Sequence, residues 1–462
     1  MNQLFSDLHD SGPIGMIFSE RSFIERCLDF ERALAGVQAG QGVIPLEAAE
    51  EIQRVARINN IDLPKLRQKT SGVGLPVVGL VEQVVGLCHG DLGQYVHYGA
   101  TTQDVMDCAL AQQMRDALEQ VSAVLAQMAQ LLDTLAITHQ RSLQAGRTNQ
   151  QHALPLTFGF KAAVWSCALR RHLVRLTEVR RRAATGQLGG AVGTLASFSG
   201  AGHETRRRLM QALDLHEPEI AWHAMRDGPT EAVLLLSQIA ATLGKIGRDL
   251  LMLSSTEVGE LGFAAGRGAS STMPQKNNPV AASSVVALSR MLFHTAPMLL
   301  DASQVENERS LDAWYIELHA VPLCFSLTGA LLGQATTMLD ELWVDPERMA
   351  HNLGLTGGAI VSETVQMALA SRVGLNRAHT LVAGACQKAR LEGLTMAAAL
   401  TGLDCGLDAD ALHFLLDPAH HAPFGMHEVH AARKRLPGDA KTARSTPFNH
   451  PPGVHPCPEP SA

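Results

Sequence analysis

One stretch of this 462-residue chain concentrates groups able to bind an anion and move a proton: Gly266-Arg267-Gly268-Ala269-Ser270-Ser271-Thr272-Met273-Pro274-Gln275-Lys276-Asn277-Asn278-Pro279. Two glycines free its backbone, Ser270 and Ser271 offer hydroxyls, and Lys276 lies six residues beyond the first serine. A loop of this make-up can close a serine and a lysine over an anionic ligand, which orients the reacting groups and keeps water out. The same composition also suits an ordinary linker between two helices, so on its own it leaves the chemistry open.

The pattern as a whole resembles the signature G-S-S-x-M-P-x-K-x-N-P of the fumarase/aspartase superfamily, with Ala269 where the signature carries its first glycine. Two further blocks follow the same resemblance. His97-Tyr98-Gly99-Ala100-Thr101-Thr102-Gln103-Asp104 is similar to the family's H-x-G-x-T-S-x-D, with Thr102 where serine is common. Gly146-Arg147-Thr148-Asn149-Gln150-Gln151-His152-Ala153-Leu154-Pro155 is similar to G-R-T-x-x-Q-x-A-x-P. The resemblance implies an all-α, three-domain fold whose long helices assemble into a multi-subunit core. It implies a homotetramer in which each site takes its three blocks from three subunits. It also implies proton transfer beside a carboxylate, with no metal and no redox cofactor.

The roles follow from the matched positions. Ser270 is expected to be the general base that removes a proton alpha to a carboxylate. Lys276, expected to be catalytic with it, would act with Asn278 on the resulting aci-carboxylate, a dianion whose extra charge needs donors already in place. Ser271, Met273, Thr101, Thr102, Thr148, Gln151 and Arg147 are expected at the substrate. Short hydroxyls beside glycine suit a carboxylate cradle, because they donate without crowding it. A serine serves as base only where N–H groups and cations stabilise its alkoxide. His97 is expected either to touch substrate or to pack, and His152 to be structural. Arg309 and Arg226 could bind substrate carboxylates through their planar forks, or could pair with Glu308 and Asp227. Arg21 suits a cap or a salt bridge.

Within the superfamily, fumarases, argininosuccinate lyases and adenylosuccinate lyases usually carry histidine after the second block's R-T or R-S, and this chain has Asn149 there. A leaving amine must be protonated by something, so the absence argues against those lyases. The 3-carboxy-cis,cis-muconate cycloisomerases also lack that histidine. Further stretches resemble them: Met16-Ile17-Phe18-Ser19-Glu20-Arg21, Thr157 to Lys161, Trp222 to Asp227, and Glu306-Asn307-Glu308-Arg309 followed by Trp314 and Glu317. Asn307 departs from a common histidine, and Phe424-Gly425-Met426 from the usual ending. The competing reading is a C–N lyase of the same superfamily that releases fumarate from a substituted aspartate.

These residues need rigid elements to position them. Leu110, Met114, Leu118, Val121, Leu125, Met128, Leu132 and Leu135 recur at spacings of three and four, which predicts one apolar stripe on a long helix. Glu231 to Leu261 is apolar nearly all round and predicts a helix covered on every side, for which helices of other subunits are the natural cover, so an oligomer is expected. Shorter helices are predicted near Glu363–Arg372 and Arg377–Glu392. Composition divides the chain into an N-terminal mixed helical domain (1–98), a central bundle (99–356) that carries loop 266–279, and a small C-terminal helical domain (357–436). A Pro- and His-rich tail (437–462) is expected to lack packed structure.

Bulk composition excludes several classes. Hydrophobic residues make up 46% and charged residues 18%, which fits a well-buried globular chain, and 4% aromatics favours helix over sheet. A formal net charge of -7 gives no electrostatic reason to expect nucleic acid. No apolar run is expected to span a membrane. Met1 to Asp10 lacks a basic-then-apolar leader pattern, and eight cysteines show no C-x-x-C pair. A cytoplasmic protein with reduced thiols is therefore expected.

Overall fold

The computed structural model describes residues 10–401 and 407–434; the tail expected from residue 437 lies outside them. Helices dominate, and the named strands among the described residues form two antiparallel pairs. The chain forms two compact units, each assembled from three stretches. The first comprises Met1–Gln127, Leu169–Arg248 and Val280–Asp340; the second comprises Met128–Ala168, Asp249–Pro279 and Glu341–Ala462.

The longest helix, Thr102–Thr138, begins inside the first sequence block. Thr101 stands just before it, and the Asp104 carboxylate reaches back to accept the Thr101 N–H at 3.0 Å. That is half of a capping box, so the block is also the start signal of the helix. The expected stripe is buried: Met114, Leu118, Val121, Leu125, Met128 and Leu132 are all fully covered. Each leucine so placed contributes about 1.5–3 kcal/mol.

The core of the first unit joins this helix's first turns to the Glu20–Gly40 helix through Cys27, Leu28, Phe30, Leu34, Val105 and Cys108. The Asp227–Leu253 helix stops eight residues short of the expected Leu261, where Ser254 and Ser255 turn their hydroxyls back to the carbonyls of Leu251 and Met252. One face of it is covered within the chain, for Val233, Leu236, Ile239, Leu243, Ile246 and Leu250 are all buried, while Leu234 and Leu251 on the rest of its circumference are half-buried.

The second unit holds a small core of Val365, Leu369, Val382, Ala385 and Met396, packed between the Ser362–Val373 and Leu375–Glu392 helices. These match the two short helices expected there. The same unit contains β1 (Leu143–Thr148) paired with β2 (Gln151–Thr157), and β3 (Leu261–Phe263) paired with β4 (Leu342–Val344). Composition had signalled neither pair.

Two helices, Thr102–Thr138 and Leu311–Asp340, are long and apolar enough by length and composition to cross a membrane. That corrects the expectation that no such run exists. A core helix passes the same test, and Thr102–Thr138 carries the buried stripe just described. The six described cysteines are all free, while Cys405 and Cys457 lie outside the described residues.

Candidate active site

The first block is built around one carboxylate. Asp104 is fully buried and accepts four N–H groups: Gly189 at 2.8 Å, Gly190 at 3.0 Å, Thr101 at 3.0 Å, and the His223 ring through Nε2 at 2.8 Å. A buried carboxylate persists only when satisfied in this way. The result fixes the turn carrying Thr101 and Thr102 against the Gly189–Gly190 turn. The two threonine hydroxyls have no partner among the described residues, and they stand at the positive end of a 37-residue helix.

Gln103, also buried, donates to the His223 carbonyl at 2.9 Å and accepts Arg309 Nε at 2.6 Å. Arg309 further donates to the Ala191 carbonyl and forms no ion pair among the described residues, so Glu308 is not its partner. Its guanidinium is thus aligned without being neutralised. His97, at the head of the block, is bound by the buried Glu31. Burial pulls the His97 pKa down, but the Glu31 charge and hydrogen bond outweigh it and hold the pKa above the ordinary imidazole value.

Arg226 is only 3% exposed and forms a paired fork to Asp107 and to Glu317, with its guanidinium stacked on Trp222. Asp227 is not its partner, as sequence reading had allowed. Burial pushes the Asp107 carboxyl above its ordinary value despite Arg226. Arg226 is therefore part of the frame that holds the Trp222–Asp227 segment.

In the second unit, the second block is a β-hairpin. Thr148 and Gln151 close its end, and Asn149 (φ +50°) and Gln150 (φ +66°) form the tip in the left-handed region. Asparagine tolerates that conformation better than most residues. Asn307, the other departure from histidine, also lies there at φ +54°. Arg147 is held by Glu260 at 2.5 Å, and the fully buried Glu260 is also met by Asn352 at 2.8 Å. The guanidinium thus braces the hairpin one residue pair below its tip, while Thr148 and Gln151 are exposed at the tip. His152 lies opposite Arg147; burial, then Arg147, lowers its pKa.

The signature loop folds on itself. Asn278 donates from both its backbone N–H (3.0 Å) and its side-chain amide (2.8 Å) to the Gly268 carbonyl. Gly268 has φ +75°, and a Cβ there would lie 2.1 Å from the Asn278 oxygen, so the latch requires glycine. Ala269 is not among the positive-φ residues, which explains why its methyl is tolerated where the signature has glycine. Inside the latch, Ser270 Oγ accepts the Met273 N–H at 3.1 Å, with the Thr272 N–H at 3.4 Å. Backbone donors aimed at one serine oxygen favour its ionised form. Ser271, Met273 and Lys276 are exposed on the same loop.

Within the first unit, then, His97, Thr101, Thr102 and Arg309 share one hydrogen-bonded frame. Within the second, the hairpin tip and the loop stand as separate groups, with no hydrogen bond between them among the described residues. Sequence reading passed over Glu31, Asp104, Glu260 and Asn352. The signal for Glu31 was present: it falls between Cys27 and Leu34 on the apolar face of its helix, where a solvated charge does not belong.

A lyase family model matches residues 10–292 of the chain. The chain belongs to the fumarase/aspartase superfamily of enzymes. Among members of this superfamily, 3-carboxy-cis,cis-muconate cycloisomerase of Pseudomonas aeruginosa is 39% identical over 91% of this chain and 93% of its own length. Trans-aconitate decarboxylase 1 of Mycosarcoma maydis is 39% identical over 90% of this chain and 85% of its own. N-acetyl-S-(2-succino)cysteine lyase of Dickeya dadantii is 36% identical over 89% and 92%. The crystal structure of 3-carboxy-cis,cis-muconate lactonizing enzyme from Pseudomonas putida superposes with a TM-score of 0.87 at 35% identity, covering 93% of this chain and 98% of that one.

Proposed function

We propose that this enzyme is a 3-carboxy-cis,cis-muconate cycloisomerase, closing a muconate carboxylate onto its own conjugated double bond to give a carboxymuconolactone. One observation carries the reading: the hairpin tip presents Asn149 and Gln150, neither ionisable, where amine-releasing members of the superfamily place a histidine. In the reverse direction lactone opening is a beta-elimination with a carboxylate as leaving group, which needs little acid help compared with an amine. Ser270, its alkoxide stabilised by the Met273 and Thr272 N–H groups, would remove the proton alpha to a carboxylate, leaving an aci-carboxylate for Lys276 and Asn278. In the forward direction the Ser270 hydroxyl returns that proton to carbon as the new C–O bond forms. Thr101, Thr102 and Arg309 of one copy, with Thr148, Gln151 and Ser271 contributed by other copies, would hold the substrate carboxylates, and Met273 would pack against the ligand's carbon skeleton. Arg147, braced by Glu260, would position Thr148 rather than reach the ligand.

A homotetramer in the cytoplasm goes with this reading. Val164 and Val174 on the Phe158–Ala183 helix, and Met291 and Phe293 on the Val280–Thr295 helix, remain exposed on the single chain and suit coverage by further copies. The second reading is elimination of a thiolate, another leaving group that needs less acid than an amine, and the relative that acts on a succinylated cysteine favours it. The protein should be offered 3-carboxy-cis,cis-muconate, trans-aconitate and N-acetyl-S-(2-succino)cysteine separately, with products identified by proton NMR. A lactone from the first acid alone supports the proposal. Fumarate from the third, or the decarboxylated acid from the second, with no lactone, would replace it.

A further inference from the structure

Glu31 sits where an ionised carboxylate is costly. It lies on the Glu20–Gly40 helix at 2% exposure, among Cys27, Leu28, Phe30 and Leu34 of the apolar core. In such surroundings a carboxylate stays charged only with partners of good geometry. Both of its oxygens go to one residue: Oε2 accepts the His97 backbone N–H at 3.0 Å, and Oε1 meets His97 Nδ1 at 2.7 Å. His97 itself stands at φ +61°, a conformation uncommon for histidine, so these contacts hold a turn that local preference opposes. That turn leads directly into Thr101 and Thr102. With Nδ1 engaged, Nε2 is the ring's remaining polar atom, and it has no partner among the described residues.

We propose that Glu31 is a positioning residue of the substrate site, gripping His97 by its backbone and Nδ1 so that Nε2–H is presented to a substrate carboxylate beside the Thr101 and Thr102 hydroxyls. Glu31 touches no substrate and acts through His97. Its charge favours the imidazolium form, in which both ring nitrogens are donors. The acidic groups acting on this ring are Glu31 and Asp104, and Asp104 already satisfies four N–H groups elsewhere, which leaves Glu31 to set the ring. The inference rests on the polycarboxylate reading above and names the group that would recognise one carboxylate.

The test is a double-mutant cycle in the full-length protein with Glu31→Gln, His97→Asn and the pair. Glu31→Gln is expected to raise KM for the polycarboxylate substrate about tenfold to a hundredfold, the scale of a charge-assisted hydrogen bond, with a smaller change in kcat. In the His97→Asn background the Glu31→Gln change should add nothing. Additive effects, or an unchanged KM in Glu31→Gln, would overturn the proposal. A second measurement needs no substrate: a 15N-histidine NMR titration, with His97 assigned by its absence in His97→Asn. The His97 midpoint should fall in Glu31→Gln, and an unmoved midpoint would overturn the coupling. If the protein turns over none of the offered acids, the functional reading fails while this titration still decides the inference.

Discussion

The first block and the signature loop are built by opposite means. Around the first block, Asp104, Gln103, Glu31 and Arg226 are buried side chains whose polar atoms converge on one frame. Most of the loop from Gly266 to Pro279 is exposed, with Gly268, Ser270, Asn278 and Pro279 half-buried, and it is held largely by bonds within itself, with Asn278 latched to Gly268. On the proposed reading the first would be a preorganised receptor, in which donors are fixed before a ligand arrives. The second would keep its proton-accepting oxygen, Ser270 Oγ, on a loop that carries two glycines. Damage to the first should therefore appear mainly as lost stability, and damage to the second mainly as lost turnover.

The largest expected effect on that contrast is Arg226→Ala. It leaves Asp107 and Glu317 buried without their common partner, and breaking such a pair costs about 3–5 kcal/mol. Urea denaturation should show a shift of that order, and a shift under about 1 kcal/mol would mean that the frame is not what holds the first block.

Gly268→Ala places a methyl against the Asn278 oxygen at a positive φ. Local strain of roughly 1–3 kcal/mol is expected, confined to the loop. Turnover should fall at least about tenfold, with the urea midpoint nearly unchanged; a large drop in midpoint would erase the distinction between the two regions.

The smallest effect is a pH dependence of stability. His97 has a folded pKa raised above its unfolded value by Glu31, after burial opposes it. Its contribution is therefore fully present below about pH 6.5, the unfolded value, and is lost as pH rises through the folded pKa. Denaturation midpoints compared across that window should decline with rising pH in the wild type more than in His97→Asn. Equal slopes would remove the dyad from the stability account.

Much of this was legible in the chain. The stripe from Leu110 to Leu135 predicted the long helix, and the resemblance of the three blocks to the superfamily's motifs named the site candidates. The β1–β2 hairpin was not legible, for a definite reason. Pro155 lies inside β2, and proline ordinarily argues against a strand; here it sits opposite Ala145 beside a bulge at Ala145/Gly146, where the ladder is already interrupted. Asn149 and Asn307 looked like losses of histidine, whereas both occupy left-handed backbone positions that favour asparagine. The partners of Arg226 were hidden because Asp107 and Glu317 lie 119 and 91 residues away in sequence. Local reading offers Asp227 first.

The most direct test of the account is the loss of ultraviolet absorbance when the purified protein is mixed with 3-carboxy-cis,cis-muconate, because lactone closure destroys the conjugated diene. The account predicts a rapid enzyme-dependent fall that slows by about a hundredfold to ten-thousandfold in Ser270→Ala, the usual contribution of a positioned general base or acid, with the same urea midpoint. A flat trace from correctly folded wild-type protein, or a Ser270→Ala variant that retains most of its rate, would contradict it.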